Sequence, residues 1–311
     1  MEGDILPLSD EYLDFLAKYP SLQAIGNTPL VKLDLQLNST ETEIYAKYEH
    51  LNPGGSIKDR PILWMLANAI ISGELTKGKV ILDATSGNAG IAYAMIGAIL
   101  GFRVELVMPS NASVERTKRL LAHGAEITFT DSMLGYDETI REVRRKYENN
   151  PDKYFYCNQY ANQNNPLAHY ETTAEEILQQ ISGITHFVAG VGTGGTISGI
   201  GRKLKENIPD IQIVCINFDE WPGVEGLKPL GQGHIVPDTF DERIVDKYLQ
   251  IDVDEGYQMS KKLASKGLFV GQSSAAYVLA SYKIANEIEH GMVITMINDI
   301  GERYFSTGVW D

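Results

Sequence analysis

Apolar residues along this chain repeat with two alternating periods. Short runs rich in β-branched and aromatic residues occur at Glu43–Lys47, Lys79–Asp83, Arg103–Met108, Glu126–Thr130, Thr185–Ala189, Ile211–Ile216, Tyr248–Val253 and Met292–Ile297. Segments of helical period fall between many of them, at 60–72, 89–100, 113–123, 137–148, 173–181, 195–206, 254–266 and 274–289. Strand followed by helix at this spacing predicts an α/β fold of parallel-rich sheets flanked by helices, since parallel neighbours need a crossover and a helix supplies it. Gly73, Gly101 and Gly124 stand where helices should stop, and Thr173-Ala174-Glu175-Glu176 has the form of a capping box. Residues 1–22 form an acidic extension whose amphipathic turns (Tyr12, Leu13, Phe15, Leu16) are suited to packing on a neighbour or a partner chain. There is no repeat and no flexible linker; the polar stretch Asn158–Asn165 is the expected hinge, and 222–237 is the longest irregular loop.

The chain has 311 residues, 43% of them hydrophobic, enough for one large core or two lobes. Its net charge of −14 argues against nucleic acid and anionic membrane surfaces as partners, because a phosphate backbone requires a basic face. Cys157 and Cys215 lie in strand-like contexts and are expected to be buried small hydrophobes in a reducing compartment. With no basic, apolar leader at Met1-Glu2-Gly3-Asp4 and no apolar stretch approaching about eighteen residues, the expected location is the cytoplasm. The six histidines show no ligand spacing, so no metal site is expected.

Chemistry is concentrated in glycine-rich turns. Leu51-Asn52-Pro53-Gly54-Gly55-Ser56-Ile57-Lys58-Asp59-Arg60 delivers Lys58 to the start of a helix, with Asp59 as the expected N-cap and Pro61 in the first turn. Positive potential and desolvation there favour the neutral amine, which attacks an aldehyde. Thr85-Ser86-Gly87-Asn88-Ala89-Gly90 follows a strand and opens a helix, an arrangement able to wrap a carboxylate. Gly190-Val191-Gly192-Thr193-Gly194-Gly195-Thr196 is built likewise and suits a phosphate monoester. It also satisfies G-x-G-x-x-G, with Asp219 after the next strand, so a dinucleotide fits this motif equally well. Gly271-Gln272-Ser273-Ser274-Ala275 places a serine at a helix start, as a cap or as a partner for a heterocyclic nitrogen.

One lysine, one phosphate cup, one carboxylate loop and one serine together are what pyridoxal 5′-phosphate and an amino acid require. At these positions the chain resembles the cysteine synthase and cystathionine β-synthase family of fold-type II pyridoxal-phosphate enzymes. The resemblance rests on Ile25-Gly26-Asn27-Thr28-Pro29-Leu30, Asn52 to Arg60, Thr85 to Gly90, Gln159-Tyr160, Gly192 to Thr196, Gly271 to Ser274 and Gly301 to Thr307. It implies a two-lobed fold like that of tryptophan synthase β, with residues 1–48 and 155–311 as the larger, cofactor-binding lobe and 49–154 as a smaller mobile lobe. It implies that Lys58 carries the cofactor as an imine and then serves as the acid–base group. Asn88 would meet the cofactor's phenolic oxygen, Gly192, Thr193, Gly194, Gly195 and Thr196 its phosphate, and Ser273 its pyridine nitrogen. Thr85, Ser86, Gly87 and Gln159 would receive the substrate carboxylate.

The implied reaction is β-replacement: an O-activated L-serine, O-phosphoserine or O-acetylserine, loses its β substituent and a sulfur donor adds to give L-cysteine. Lys228, in Gly223-Val224-Glu225-Gly226-Leu227-Lys228, resembles the cation with which O-phosphoserine-using members bind phosphate; a solvated loop lysine explains it equally well. Ala89 departs from the family's usual threonine, and Ala275 from its glycine. The chain runs only to Asp311, without the regulatory domains or haem-binding segment of some cystathionine β-synthases, which favours cysteine synthase. Cystathionine β-synthase or another β-substituted-alanine synthase is the alternative within this chemistry. A Rossmann-type dinucleotide-binding protein and a catalytically silent relative are the alternatives outside it. A homodimer, and possible use of a sulfur-carrier protein, follow from the family.

Overall fold

A computed structural model describes residues 9–85, 87–219, 223–230 and 236–310. The chain begins with α1 (Asp10–Lys18), β1 (Leu30–Lys32), β2 (Thr42–Tyr48), α2 (Asp59–Ile71), β3 (Val80–Ala84), α3 (Asn88–Leu100) and β4 (Arg103–Pro109). It continues through α4 (Val114–Ala122), β5 (Glu126–Thr130), α5 (Gly135–Asn149), β6 (Tyr154–Tyr156), α6 (Asn164–Ala168), α7 (Ala174–Gln180), β7 (His186–Gly190) and α8 (Gly195–Asn207). The last elements are β8 (Gln212–Asn217), β9 (Lys247–Gln250), α9 (Val253–Ser265), α10 (Gln272–Glu287) and β10 (Gly291–Ile297).

Two sheets result. The larger has six strands in the order β1-β2-β10-β7-β8-β9, all parallel except the β1–β2 pair. The smaller has four parallel strands in the order β5-β4-β3-β6. Period two explains how a central strand serves both faces. Along β3, Val80, Leu82 and Ala84 join the core beneath α5, while Ile81 joins the core shared by α2 and α3. Asp83 points to that second, apolar side, and its carboxylate accepts from the Tyr93 hydroxyl and from Gln159 N at 3.1 Å.

α1 packs within the chain, with Tyr12 and Phe15 buried and the Tyr12 ring 4.4 Å from that of Trp64 on α2. β6 pairs with β3 in the smaller sheet and lies across residue 154, the expected lobe boundary. Three local expectations differ. Asp59 is the first residue of α2, not its cap; its carboxylate reaches back to Gly54 N, and Lys58 occupies the cap position. Thr173-Ala174-Glu175-Glu176 does not act as a capping box, because the helical turn His169–Thr173 runs into α7 and leaves no free N–H there to cap. Glu176 instead pairs with Lys47 and Arg60. The strand expected to run to Val253 stops at Gln250, because Asp252 accepts from Asp254 N and Glu255 N and starts α9. Short pieces such as β1, β6 and α6 are too brief to leave a period in the sequence. Among the described residues no helix is long and apolar enough to cross a membrane.

Candidate active site

The glycine turns converge at the C-terminal ends of strands, where helices α3 and α8 begin. A narrow inner cavity there is lined by Lys58, Thr85, Asn88, Gln159, Gly192, Thr193, Gly194, Thr196 and Ser273, nine of the thirteen residues singled out above. Gly87 and Gly195 belong to the same turns without forming its wall, and Ser86 lies outside the described residues. Lys228 is on an adjoining outer cleft of about 1070 Å³, with Asp137, Tyr160 and Glu225.

Lys58 Nζ has no hydrogen-bond or ion-pair partner among the described residues, and what surface it keeps faces the cavity. Burial pulls its pKa below the usual lysine value, opposed by the charge of Asp299. An amine without a partner, whose burial favours the uncharged form, is suited to adding to a carbonyl.

On the same cavity, Gly194 takes φ +87 and caps α8, a helix of 13 residues whose first N–H groups have no partner within it. The turn is closely backed. A Cβ at Gly192 would stand 2.7 Å from Gly226 O, one at Gly194 would stand 2.7 Å from Phe240 Cα, and one at Gly195 would stand 2.1 Å from Asn165 Oδ1. Asn165 Nδ2 donates to Thr193 Oγ1 at 2.9 Å and to Gln159 O at 2.8 Å. His169 sets Thr196: its Nε2 lies 3.2 Å from Thr196 Oγ1 and its Nδ1 3.0 Å from Thr173 Oγ1. Burial, then the charges of Arg60 and Lys58, push the His169 pKa well down, so the ring is neutral.

Thr85 Oγ1 accepts from Gly87 N and Gly90 N, at 3.0 and 2.9 Å, so it folds its own loop and keeps its proton to donate. Asn88 is held at both ends: Nδ2 donates to Asp299 Oδ2 at 2.7 Å and Oδ1 accepts from Arg303. That leaves one Nδ2 hydrogen for a ligand. Gln159 Nε2 donates to Ala84 O at 2.7 Å. Ser273 is not a cap: Gly271 holds that position, and Ser273 Oγ accepts from Asn298 Nδ2 at 3.1 Å with its own proton free for the cavity. Lys228 Nζ pairs with Asp137 at 3.1 Å and sits 5.5 Å from the Tyr160 ring. Asn165, His169, Asn298, Asp299 and Arg303 were given no role from the sequence, although Arg303 lies in the Gly301–Thr307 stretch that carries the resemblance.

Asp219, which a dinucleotide would place on a ribose, accepts from Gln250 at 3.1 Å and does not line the inner cavity. Both cysteines are buried, the thiol of Cys215 pushed up to about 12. Among the described residues there is no cluster of three or more His, Cys, Asp or Glu that could hold a metal.

An unpartnered, half-buried lysine sharing one cavity with a glycine turn and a serine hydroxyl fits a phosphorylated pyridine aldehyde. Residues 21–299 match the family model described as pyridoxal-phosphate dependent enzyme. The chain belongs to that family. Its relatives include a cysteine synthase of Aquifex aeolicus, 44% identical over 94% of this chain and 93% of the relative. Among solved structures, the cysteine synthase of Entamoeba histolytica is 33% identical with a TM-score of 0.85, covering 100% of this chain and 93% of that one. An O-ureido-L-serine synthase also has a TM-score of 0.85, at 34% identity and 98% and 96% coverage. The fold is thus fold-type II, the cofactor is pyridoxal phosphate, and the family leaves the dinucleotide reading without support.

Proposed function

We propose that this chain is a cysteine synthase that replaces the β substituent of an O-activated L-serine with sulfur. The observation that carries the reading is Lys58, without a hydrogen-bond or ion-pair partner among the described residues, sharing one cavity with the Gly192–Thr196 turn. The chemistry that pyridoxal phosphate supplies when bound is acidification of the Cα–H of an attached amino acid, which lets a β substituent leave. Lys58 Nζ takes that proton and later returns it. Gly192, Thr193, Gly194, Gly195 and Thr196 would hold the phosphate, and Ser273 would offer the ring nitrogen a neutral hydroxyl in place of a charged partner, which suits elimination better than transamination. Asn88 gives its remaining N–H to the phenolic oxygen. Thr85, the rest of its loop and Gln159 orient the carboxylate, and the narrow cavity limits water.

The same reading makes O-phosphoserine the preferred substrate, with Lys228 giving up Asp137 for the phosphate. It takes the chain as a cytoplasmic homodimer in which residues 49–154 close over substrate and the larger lobe is formed by 1–48 and 155–311. Sulfide or a sulfur-carrier protein is the donor. The likeness to an O-ureido-L-serine synthase supports one second reading, a synthase of another β-substituted alanine. The test is cysteine formation from O-phosphoserine and O-acetylserine by the cofactor-loaded protein, with hydroxyurea and homocysteine as competing nucleophiles. Lys58→Ala should lower turnover by about 10²–10⁴-fold. Lys228→Ala should lower the O-phosphoserine rate alone, and equal rates in mutant and parent would remove the phosphate preference.

A further inference from the structure

Arg116 is a buried cation that the account so far leaves without a task. It lies in the first turn of α4, where Ser113 Oγ accepts from its backbone N–H, and its side chain is only 2% exposed. The guanidinium lies against the carboxylate loop: a Cβ at Gly87 would stand 2.3 Å from Arg116 Cδ and 2.6 Å from Nε. Glycine at 87 is therefore what leaves room for it. The guanidinium carbon is 4.7 Å from the centre of the Tyr304 ring, and Nη1 is ion-paired with Glu225. Nε and Nη1 both lack a hydrogen-bond partner among the described residues, Nη1 meeting Glu225 as an ion pair only, although Arg116 forms part of the inner cavity's wall beside Lys58, Thr85, Asn88 and Ala89. A buried guanidinium donor left without an acceptor is costly, and an anion entering this cavity would offer both the acceptor and the opposite charge. Ala89 sharpens the point, because its methyl offers no donor where the loop must hold one.

We propose that Arg116 binds the α-carboxylate of the amino-acid substrate. Glu225, at 28% exposure on the outer cleft, holds the guanidinium until substrate arrives and then turns to water. The planar fork matches a carboxylate, and the exchange keeps the buried charge paired throughout. This rests on the cysteine-synthase reading, since it takes an amino acid as the ligand.

The test uses the cofactor-loaded enzyme, titrated with L-serine and with L-serinamide, which has no carboxylate, while the cofactor's visible band reports occupancy. Arg116→Gln should weaken L-serine binding about ten- to hundredfold and L-serinamide binding little, so the ratio of the two affinities collapses. Glu225→Gln, on the partly exposed wall of the outer cleft, should tighten L-serine several-fold by removing the competing carboxylate. An unchanged ratio in Arg116→Gln overturns the proposal, as does an equal loss for both ligands; should that variant fail to load cofactor, unchanged or weaker L-serine binding by Glu225→Gln overturns it instead. A parent enzyme that responds to neither L-serine nor O-acetylserine sinks the cysteine-synthase reading first. A parent that responds to L-serine beside an indifferent Arg116→Gln sinks this proposal alone.

Discussion

Gly195→Ala tests whether the Gly192–Thr196 turn, proposed to hold the cofactor's phosphate, depends on backbone packed too closely for any side chain. The new methyl would lie 2.1 Å from Asn165 Oδ1 and 2.6 Å from its Cγ, where ordinary contacts begin at 3.4 Å, so the amide must retreat by over an ångström. Asn165 is 2% exposed, and its Nδ2 donates to Gln159 O and Thr193 Oγ1. Moving it breaks two buried hydrogen bonds, at about 1–3 kcal/mol each. Against this, alanine gains at most about 1 kcal/mol over glycine as a helical residue. Packing wins, with a net loss of roughly 1–5 kcal/mol. Because Thr193 and Gln159 are the groups released, the loss should appear in the site. Pyridoxal phosphate titrated into the apoprotein should bind at least about tenfold more weakly, and urea unfolding should shift to lower midpoint. Removing the obstruction in Gly195→Ala/Asn165→Ala should cost less than the two single changes together. Parent-like cofactor affinity and midpoint in Gly195→Ala would refute the argument, since the methyl would then have found room without disturbing Asn165.

Two other outcomes concern buried charge. Arg60 donates to Glu49 at 2.7 and 2.8 Å and to Glu176 at 2.6 and 2.8 Å; Arg60→Met leaves Glu49, which is wholly buried, with Thr28 and Asn52 as its side-chain donors among the described residues. The variant should lose about 3–5 kcal/mol of unfolding free energy in urea, and a loss under about 1 kcal/mol would mean the network contributes little. Burial pushes the Asp83 carboxyl up to about 6, so the folded state binds that proton more tightly than the unfolded chain does. Its contribution is full below the ordinary carboxylate range and is lost as pH rises through about 6, roughly 3 kcal/mol across the interval. Unfolding free energies of Asp83→Asn at pH from about 4 to about 7 should lack that decline, and an identical pH profile in parent and variant would show that Asp83 does not titrate there.

The sequence by itself determined most of the repeating structure and singled out Lys58 as the lysine of the cavity. Strands such as β4 and β5 are legible because alternation and β-branching are local, and α3 and α8 because glycines mark the backbone turns that open them. Lys58 stands out for the same reason: its glycine-rich approach and the apolar helix behind it lie within a few residues. Lys228, though legible as a cation, shows its partner Asp137 only in the fold. What holds the site in shape was settled only by tertiary structure. Asn88 is fixed by Arg303 from 215 residues away, Thr193 by Asn165, Thr196 by His169, and the carboxylate loop is backed by Arg116 on a different helix. A polar side chain that is solvated on a surface and one that is buried beside a ligand have the same local sequence signature. They differ in which distant backbone excludes water from them, and that is decided when the two sheets pack.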